Sequence, residues 1–235
     1  MVLVIKKHNI LMACLIITVS LVIYSFAAEE VTPTVVLPVT NKVIVLDPGH
    51  GGPDPGAIGK SGIFEKDINL DIVLKLQGFL EQSGCITQLT RAIDESIHDK
   101  DKNSIRRKKN SDLKNRKNII DTSQANAYIS IHLNSFPEEQ YKGVQSFYPR
   151  DSEDSKRLAK SIQKELKSTL QINDNREALP IGDVYLMKDT KIPSVIVECG
   201  FLSNPEEEKN LSTEEYRKKI AWGIYLGIMN FFEGS

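Results

Sequence analysis

Cysteine is scarce in this chain of 235 residues: Cys14 sits in an apolar N-terminal run, leaving only Cys85 and Cys199. A disulfide framework therefore does not hold the fold together, and two buried thiols are the expected state of the pair. Aromatic residues are sparse too, at 7% with a single tryptophan, and neither sign of charge is in excess, the net charge being −1. Such a balance lacks the basic surface that a nucleic-acid partner demands, so none is expected. No internal repeat is visible. What remains, 40% hydrophobic and 26% charged residues, is the composition of one globular domain with a sizeable core.

The one long apolar run is N-terminal. Lys6 and Lys7 precede a stretch from Ile10 to Ala28 that carries no charge. Residues 1–28 thus read as a signal peptide or an N-terminal membrane anchor, with possible membrane association through residues 10–28. Small residues at Ser25 and Ala27 suit cleavage, whereas the length of the run suits a span. Leu11-Met12-Ala13-Cys14 resembles a lipoprotein box only superficially, because the apolar run continues well beyond Cys14. Either way the rest is expected to be exported, with residues 29–41 as an extended linker and 42–235 as the folded domain.

Val43 to Leu46 is short, apolar and mostly β-branched, which predicts a strand buried on both faces. Asp47-Pro48-Gly49 cannot prolong it, so His50 falls on a loop at the strand's carboxyl end, where open α/β sheets bind ligands. The glycines that follow do not make a phosphate loop: Asp54 stands where Gly59-Lys60-Ser61 would need a glycine, and Pro53 and Pro55 remove donors. A helical stripe from Glu65 (Ile68, Ile72, Leu76, Leu80) ends at Ser83-Gly84, and Cys85 to Thr90 predicts the next strand. Residues 94–111 read as a charged solvated loop in which Arg106 to Lys109 face water or an acidic surface. Helices are predicted from Ser111 or Asp112 to Gln124, from about Ser152, after Asn204-Pro205, and from Thr213. Strands are predicted at 127–132, 144–148, 184–187 and 194–197. The alternation argues for an α/β single domain, a twisted, mostly parallel sheet of about six strands with helices on both faces.

Three of these strands end in a group that is costly to bury unpaired: His50, His132 and Glu198. Glu65 opens the helix after the first strand and is the fourth candidate. Each has a plain structural explanation, Glu65 complementing a helix dipole and His132 as a hydrogen-bonded core residue. Together, if parallel neighbours bring them to one sheet edge, two imidazoles and a carboxylate are the usual ligand set of a catalytic zinc, and a second carboxylate can act as base.

At this point the phrases Asp47-Pro48-Gly49-His50-Gly51-Gly52, Ser130-Ile131-His132-Leu133-Asn134 and Val197-Glu198-Cys199-Gly200-Phe201-Leu202-Ser203-Asn204, with Glu65-Lys66 between them, can be taken together. They resemble the zinc-dependent N-acetylmuramoyl-L-alanine amidases of bacterial cell walls, the amidase_3 type. Leu89-Thr90-Arg91, Leu113 and Arg116 extend the likeness. The resemblance implies a zinc (Zn2+) cofactor on His50, Glu65 and His132, and Glu198 as catalytic general base. It also implies hydrolysis of the amide between N-acetylmuramic acid and L-alanine of the stem peptide. Asn134-Ser135-Phe136-Pro137, Asn175-Arg176-Glu177 and Pro180-Ile181 are most similar to the spore-cortex, germination type, which prepares muramic δ-lactam. The implied partners are peptidoglycan glycan strands with stem peptides, and an accessory protein. Cys199 stands where many relatives have Thr or Ser.

The short Pro137 to Tyr141 connection leaves no room for an occluding helix, so a groove open to glycan is expected. Three rivals stand beside this reading: a zinc exopeptidase cutting peptides, a Cys199 nucleophile paired with His132, and a wall-binding module without catalysis. Strand alternation disfavours the second, since Cys199 and Glu198 point to opposite faces.

Overall fold

A computed structural model describes residues 6–27, 36–182 and 184–234. The chain divides into two compact units at residues 36 and 37. The first contains helix α1 (Lys7–Ala27), which is long and apolar enough to cross a membrane. The Thr18 hydroxyl in mid-helix is satisfied by the carbonyls of Cys14 and Leu15 at 2.8 and 2.9 Å. The end of the expected cleavage region and most of the linker, residues 28–35, lie outside the described residues.

The second unit is built on a six-stranded sheet: β1 (Val43–Pro48), β2 (Ile86–Leu89), β3 (Ala127–Asn134), β4 (Gln145–Pro149), β5 (Leu179–Ile181) and β6 (Ser194–Phe201). Their order is β2-β1-β3-β6-β4-β5, with every neighbouring pair parallel except β4 with β6. Helices α2 (Glu65–Gln82), α4 (Glu153–Leu170) and α6 (Glu214–Glu233) cover one face, where Ile44, Leu46, Ile129, Ile131, Val195 and Val197 form the main core with them. Helix α3 (Ile105–Thr122) packs on the other, its Ile120 against Val45 and Tyr128. A short helix α5 (Pro205–Leu211) starts at the Asn204 cap with proline in the first turn, as expected.

Packing follows the sequence stripes. Ser152 caps α4 by accepting from the Ser155 amide, and Leu158, Ile162 and Leu166 are fully buried. α6 can approach α4 closely because Gly227 has no side chain; a Cβ there would lie 2.5 Å from the Ile162 Cα. α2 stops at Gly84, whose φ of 78° is the left-handed conformation that glycine adopts freely.

Two expectations need correction. Val184 to Met187 is not a strand: Tyr185–Met187 is a 3-10 turn that tucks Leu186 and Met187 under α3. The edge strand is β5 instead, with Pro180 at its centre, a position that the outermost strand tolerates. The charged segment before Ser111 is also partly helical. α3 begins at Ile105, capped by Ser104 accepting from the Arg107 amide at 3.3 Å. Its first turns bury almost nothing, so no apolar period announced them.

The carboxyl end of β1 carries the largest concentration of buried charge. Asp47 accepts from Thr90 Oγ1 and Arg116 Nη1, both at 2.6 Å, and from Tyr128 OH and Ser130 Oγ, both at 2.8 Å. Arg116 also donates to the carbonyls of Pro48 (2.9 Å) and His50 (2.6 Å), and Arg91 to those of Pro48, Gly49 and His50 (2.8 to 3.0 Å). The turn that carries His50 is thereby bolted to the sheet. Burial alone would raise the Asp47 pKa; the Arg116 charge and the Thr90 hydrogen bond outweigh it and hold the carboxyl well below the usual carboxylate range.

The stability that this carboxylate contributes is therefore complete above the unfolded aspartate value of about 3.9 and is lost as pH falls through the folded value. Replacing Asp47 with Asn leaves Arg116 facing a neutral amide; we expect a loss of about 3–5 kcal/mol in urea unfolding at pH 7. The difference from wild type should shrink below pH 4, and an unchanged gap there would refute the assignment.

Candidate metal centre

Four segments deliver the site. β1 hands the chain to His50, a non-glycine residue with φ of 63°, an uncommon left-handed conformation that histidine enters more readily than most residues but that still needs a constraint to hold it. The carbonyl clamps from Arg91 and Arg116 supply that constraint. Glu65 is the first residue of α2, and its carboxylate serves more than the helix dipole: it is 3% exposed, and its oxygens accept from the amides of Ala57 (2.8 Å) and Leu133 (2.9 Å). His132 lies on β3, in register with Glu198 on β6. Paired residues on neighbouring strands share a face, so both point to the α3 side of the sheet, as do Asp47 and Ser130 further back. Register slips just beyond this pair, an irregularity of the kind that re-aims side chains beside ligand sites.

His50, Glu65 and His132 each offer a ligand atom, all within 4.8 Å of one another. Glu65 Oε1 stands 3.2 Å from His50 Nε2 and 3.1 Å from His132 Nδ1, and the two rings meet edge-on with centroids 5.0 Å apart. Burial would raise the pKa of Glu65, but its hydrogen bonds to His132 and His50 prevail and hold it well below the ordinary range, an ionised carboxylate between two imidazoles. For His132, burial works against the charged ring and the Glu65 hydrogen bond outweighs it, so its pKa is raised. A divalent cation satisfies the same donors without protons, and one carboxylate with two imidazoles is a set that zinc accepts with a position left open.

Glu198 is placed differently. Its Oε2 is buried and has no hydrogen-bond partner among the described residues. Burial pushes its pKa above the usual value, with the charge of His132 only partly offsetting. An orphaned carboxylate oxygen beside a cluster of donors fits a centre that takes a cation and its water.

The sequence candidates thus converge, and the structure adds three that residue reasoning missed. Asp54 Oδ2 is 3.1 Å from His50 Nδ1, so it can fix the ring's orientation and tautomer from behind. Asn69 Nδ2 reaches Glu65 Oε1 and the Gly49 carbonyl at 3.3 and 3.4 Å. Asp47 organises the turn itself. Asp47 carried a signal, since it too ends a buried strand in a charge; Asp54 carried only its spacing of four from His50. Glycines 49 and 56 are needed for close approach: a Cβ on Gly49 would fall 2.3 Å from the His132 ring, and one on Gly56 2.5 Å from Glu65 Oε2. Cys199 lies in the core on the opposite face, fully buried, with its thiol pushed well above the ordinary range by burial, which argues against a nucleophilic role.

Comparison with known proteins adds to this geometry. The family model Amidase_3, described as N-acetylmuramoyl-L-alanine amidase, matches residues 44–230. The chain is similar to the germination-specific N-acetylmuramoyl-L-alanine amidase of Bacillus subtilis (strain 168), 38% identical over 209 residues that cover 89% of this chain and 87% of that protein. Among solved structures it is similar to the CwlD amidase from Clostridioides difficile in complex with the GerS lipoprotein, at 51% identity and a TM-score of 0.81, covering 83% of this chain and 100% of that one. It is also similar to the catalytic domain of CwlV from Bacillus (Paenibacillus) polymyxa var. colistinus, at 31% identity and a TM-score of 0.70, covering 83% and 99%.

If the three donors hold a cation, crowding them must loosen it. Gly56→Ala puts a methyl group between Glu65 and His50 at a φ of 68° that alanine resists. We expect Zn2+ affinity, read by competition with a chromophoric chelator, to fall by roughly tenfold or more, the scale found for disturbed ligand positioning. Cys199→Ala should leave it unchanged.

Proposed function

Because the chain belongs to the N-acetylmuramoyl-L-alanine amidase family, we propose that it hydrolyses the amide between N-acetylmuramic acid and L-alanine of peptidoglycan at a zinc site. His50, Glu65 and His132 would hold the ion, and Glu198 would act as general base. The observation that carries this reading is the meeting of those three donors beside the unpartnered Glu198 oxygen. When bound, zinc supplies Lewis acidity, which acidifies water and polarises the scissile carbonyl. The chain's own residues do the rest. Glu198, its proton affinity increased by burial, takes a proton from the attacking water and returns it to the leaving alanine nitrogen. Asp54 keeps the His50 ring turned towards Glu65. Glu65, accepting two backbone amides, stays ionised throughout.

The substrate side is open. The connection from β3 to β4 contains no helix, and Phe136 and Tyr141, rings 5.2 Å apart and partly exposed, line it. That supports access by intact glycan strands. Similarity to the germination-specific amidase supports a role in spore cortex, stripping stem peptides on the way to muramic δ-lactam. The lipoprotein bound to the related CwlD supports an accessory partner of that class here. Helix α1 supports export, with residues 1–28 as cleaved signal or anchor, 29–41 as linker and 42–235 as the extracytoplasmic catalytic domain.

Glu198→Gln should lower kcat by roughly a hundred- to ten-thousand-fold, the usual weight of a general base, while zinc content is unchanged. Digests of peptidoglycan analysed by mass spectrometry should contain stem peptides with free N-terminal alanine. Chelation should abolish them and added Zn2+ restore them. Single amino acids trimmed from peptides would replace the amidase reading with an exopeptidase, and full biological effect from the Glu198→Gln protein would replace it with a binding module.

A further inference from the structure

Helix α5 carries three consecutive acids, Glu206, Glu207 and Glu208, in its first turn. Complementing the helix dipole accounts for carboxylates there, but it does not require burying them. Glu206 behaves as that account predicts: its side chain is exposed, with Lys142 3.8 Å away. Glu207 and Glu208 are instead 8% and 7% exposed. A carboxylate that leaves water needs donors, and each finds them on a loop beside the metal centre. Glu207 accepts from the amides of Gly143 and Phe201, both at 2.7 Å, and so joins the end of β6 to the connection from β3 to β4. Glu208 Oε1 accepts from the Ser61 amide at 2.8 Å and the Ser61 hydroxyl at 2.7 Å.

Ser61 stands at the tip of a hairpin whose base is the metal donor Glu65. Ile58 bridges Phe64 across the two arms, Gly59 donates to the Ile63 carbonyl at 2.9 Å, and the Glu65 amide donates to the Ala57 carbonyl at 2.9 Å. At that same base the Ala57 amide donates to Glu65 Oε2 at 2.8 Å, one of the two backbone bonds that orient the carboxylate. Ile63 packs on the core, but Ile58, Lys60, Ser61 and Gly62 are exposed. The Lys60–Glu139 ion pair at the tip is exposed on both sides, a kind of pair that contributes little. The arms can approach Glu208 because residue 59 is glycine; a Cβ there would collide with Glu208 Oε1. A buried carboxylate with two donors on one residue is therefore the mooring of a largely solvated tip.

We propose that Glu208 is a positioning residue for the metal centre: by gripping Ser61 it fixes the hairpin and, through the Ala57 amide, the angle at which Glu65 presents its carboxylate between His50 and His132. The inference rests on the metal reading and extends it to a residue on a separate element, α5. Without the grip Glu65 keeps its place at the start of α2, but the amide that orients its Oε2 is free to drift.

The test titrates the metal-free full chain, in detergent, with Zn2+ against a chromophoric chelator, and records thermal unfolding of each metal-free variant. Glu208→Ala should lower the affinity about tenfold, the lower end of the scale for lost supporting groups around a metal. Glu208→Gln, which keeps an acceptor oxygen, should retain most of it, and Glu206→Ala should change nothing. Ser61→Ala removes only the hydroxyl at an exposed position and should weaken binding by less; added to Glu208→Ala it should cost nothing further, since both remove one interaction. If Glu208→Ala does not fold, Ser61→Ala alone decides, by a lowered or a wild-type affinity. Wild-type affinity in these variants, additive losses in the double variant, or a loss that merely follows the unfolding temperature overturns the positioning role while the metal reading stands. Failure of wild type to take up zinc removes the metal reading, and this inference with it.

Discussion

Everything at the active edge depends on a single backbone turn being held in a conformation it would not choose. The chain must leave β1, reverse through a left-handed histidine, and present that ring beside two other segments. Local bonding reaches only Gly51, which exchanges backbone hydrogen bonds with Asp54 at 3.0 and 3.2 Å, and leaves the carbonyls of Pro48, Gly49 and His50 to side chains from elsewhere in the chain. Two guanidinium groups solve the problem: they donate to the carbonyls of Pro48, Gly49 and His50 with planar, fixed geometry. Their charge then has to be balanced below solvent: Asp47, with four donors on one carboxylate, pairs with Arg116, and Asp112 takes the same guanidinium at 2.7 Å. A buried ion pair of this kind is weak as a source of net stability, but it is costly to break from one side, which makes the turn's conformation unique.

The sheet converts that local constraint into a site. Parallel register sets Asp47 beside Ser130, and two residues further along sets His132 beside Glu198. The period of two along each strand keeps all four on the same face, with the brace nearer the centre of the sheet and the donors at its edge. Separation of roles follows from environment. Glu65, near two imidazoles and two amides, is held ionised; Glu198, buried without a partner, has its proton affinity raised. Two carboxylates pushed apart in this way are what a ligand and a proton shuttle require. The close glycines complete it, since a side chain at 49 or 56 would occupy the space in which the rings and carboxylate meet.

Much of this was legible from residues. Apolar strands ending in His50, His132 and Glu198 predicted their convergence because burial of unpaired polar groups is expensive, and that argument does not depend on knowing the loops between. The same argument applied to Asp47, but its place in a Pro-Gly turn made it look like turn chemistry. The strand count came out right through two errors that cancelled: the apolar Val184 to Met187 was read as extended, and β5, short and centred on Pro180, was passed over. Periodicity cannot tell a buried 3-10 turn from a strand of equal length. Nor could it find the start of α3, where every side chain through Asn110 faces outward or is only partly covered and the sole local signal is the Ser104 cap.

A donor set does not by itself name a substrate, since one set can serve several substrate classes, so the walls around the triad carry that information. In this chain two walls differ in chemistry. One, around Phe136 and Tyr141, is aromatic and nearly free of helix, suited to the weakly polar faces of sugars. The other, the first turns of α3, is cationic against the preference of its own helix dipole. Local preference violated beside a reactive centre is a sign of selection by a ligand rather than by folding.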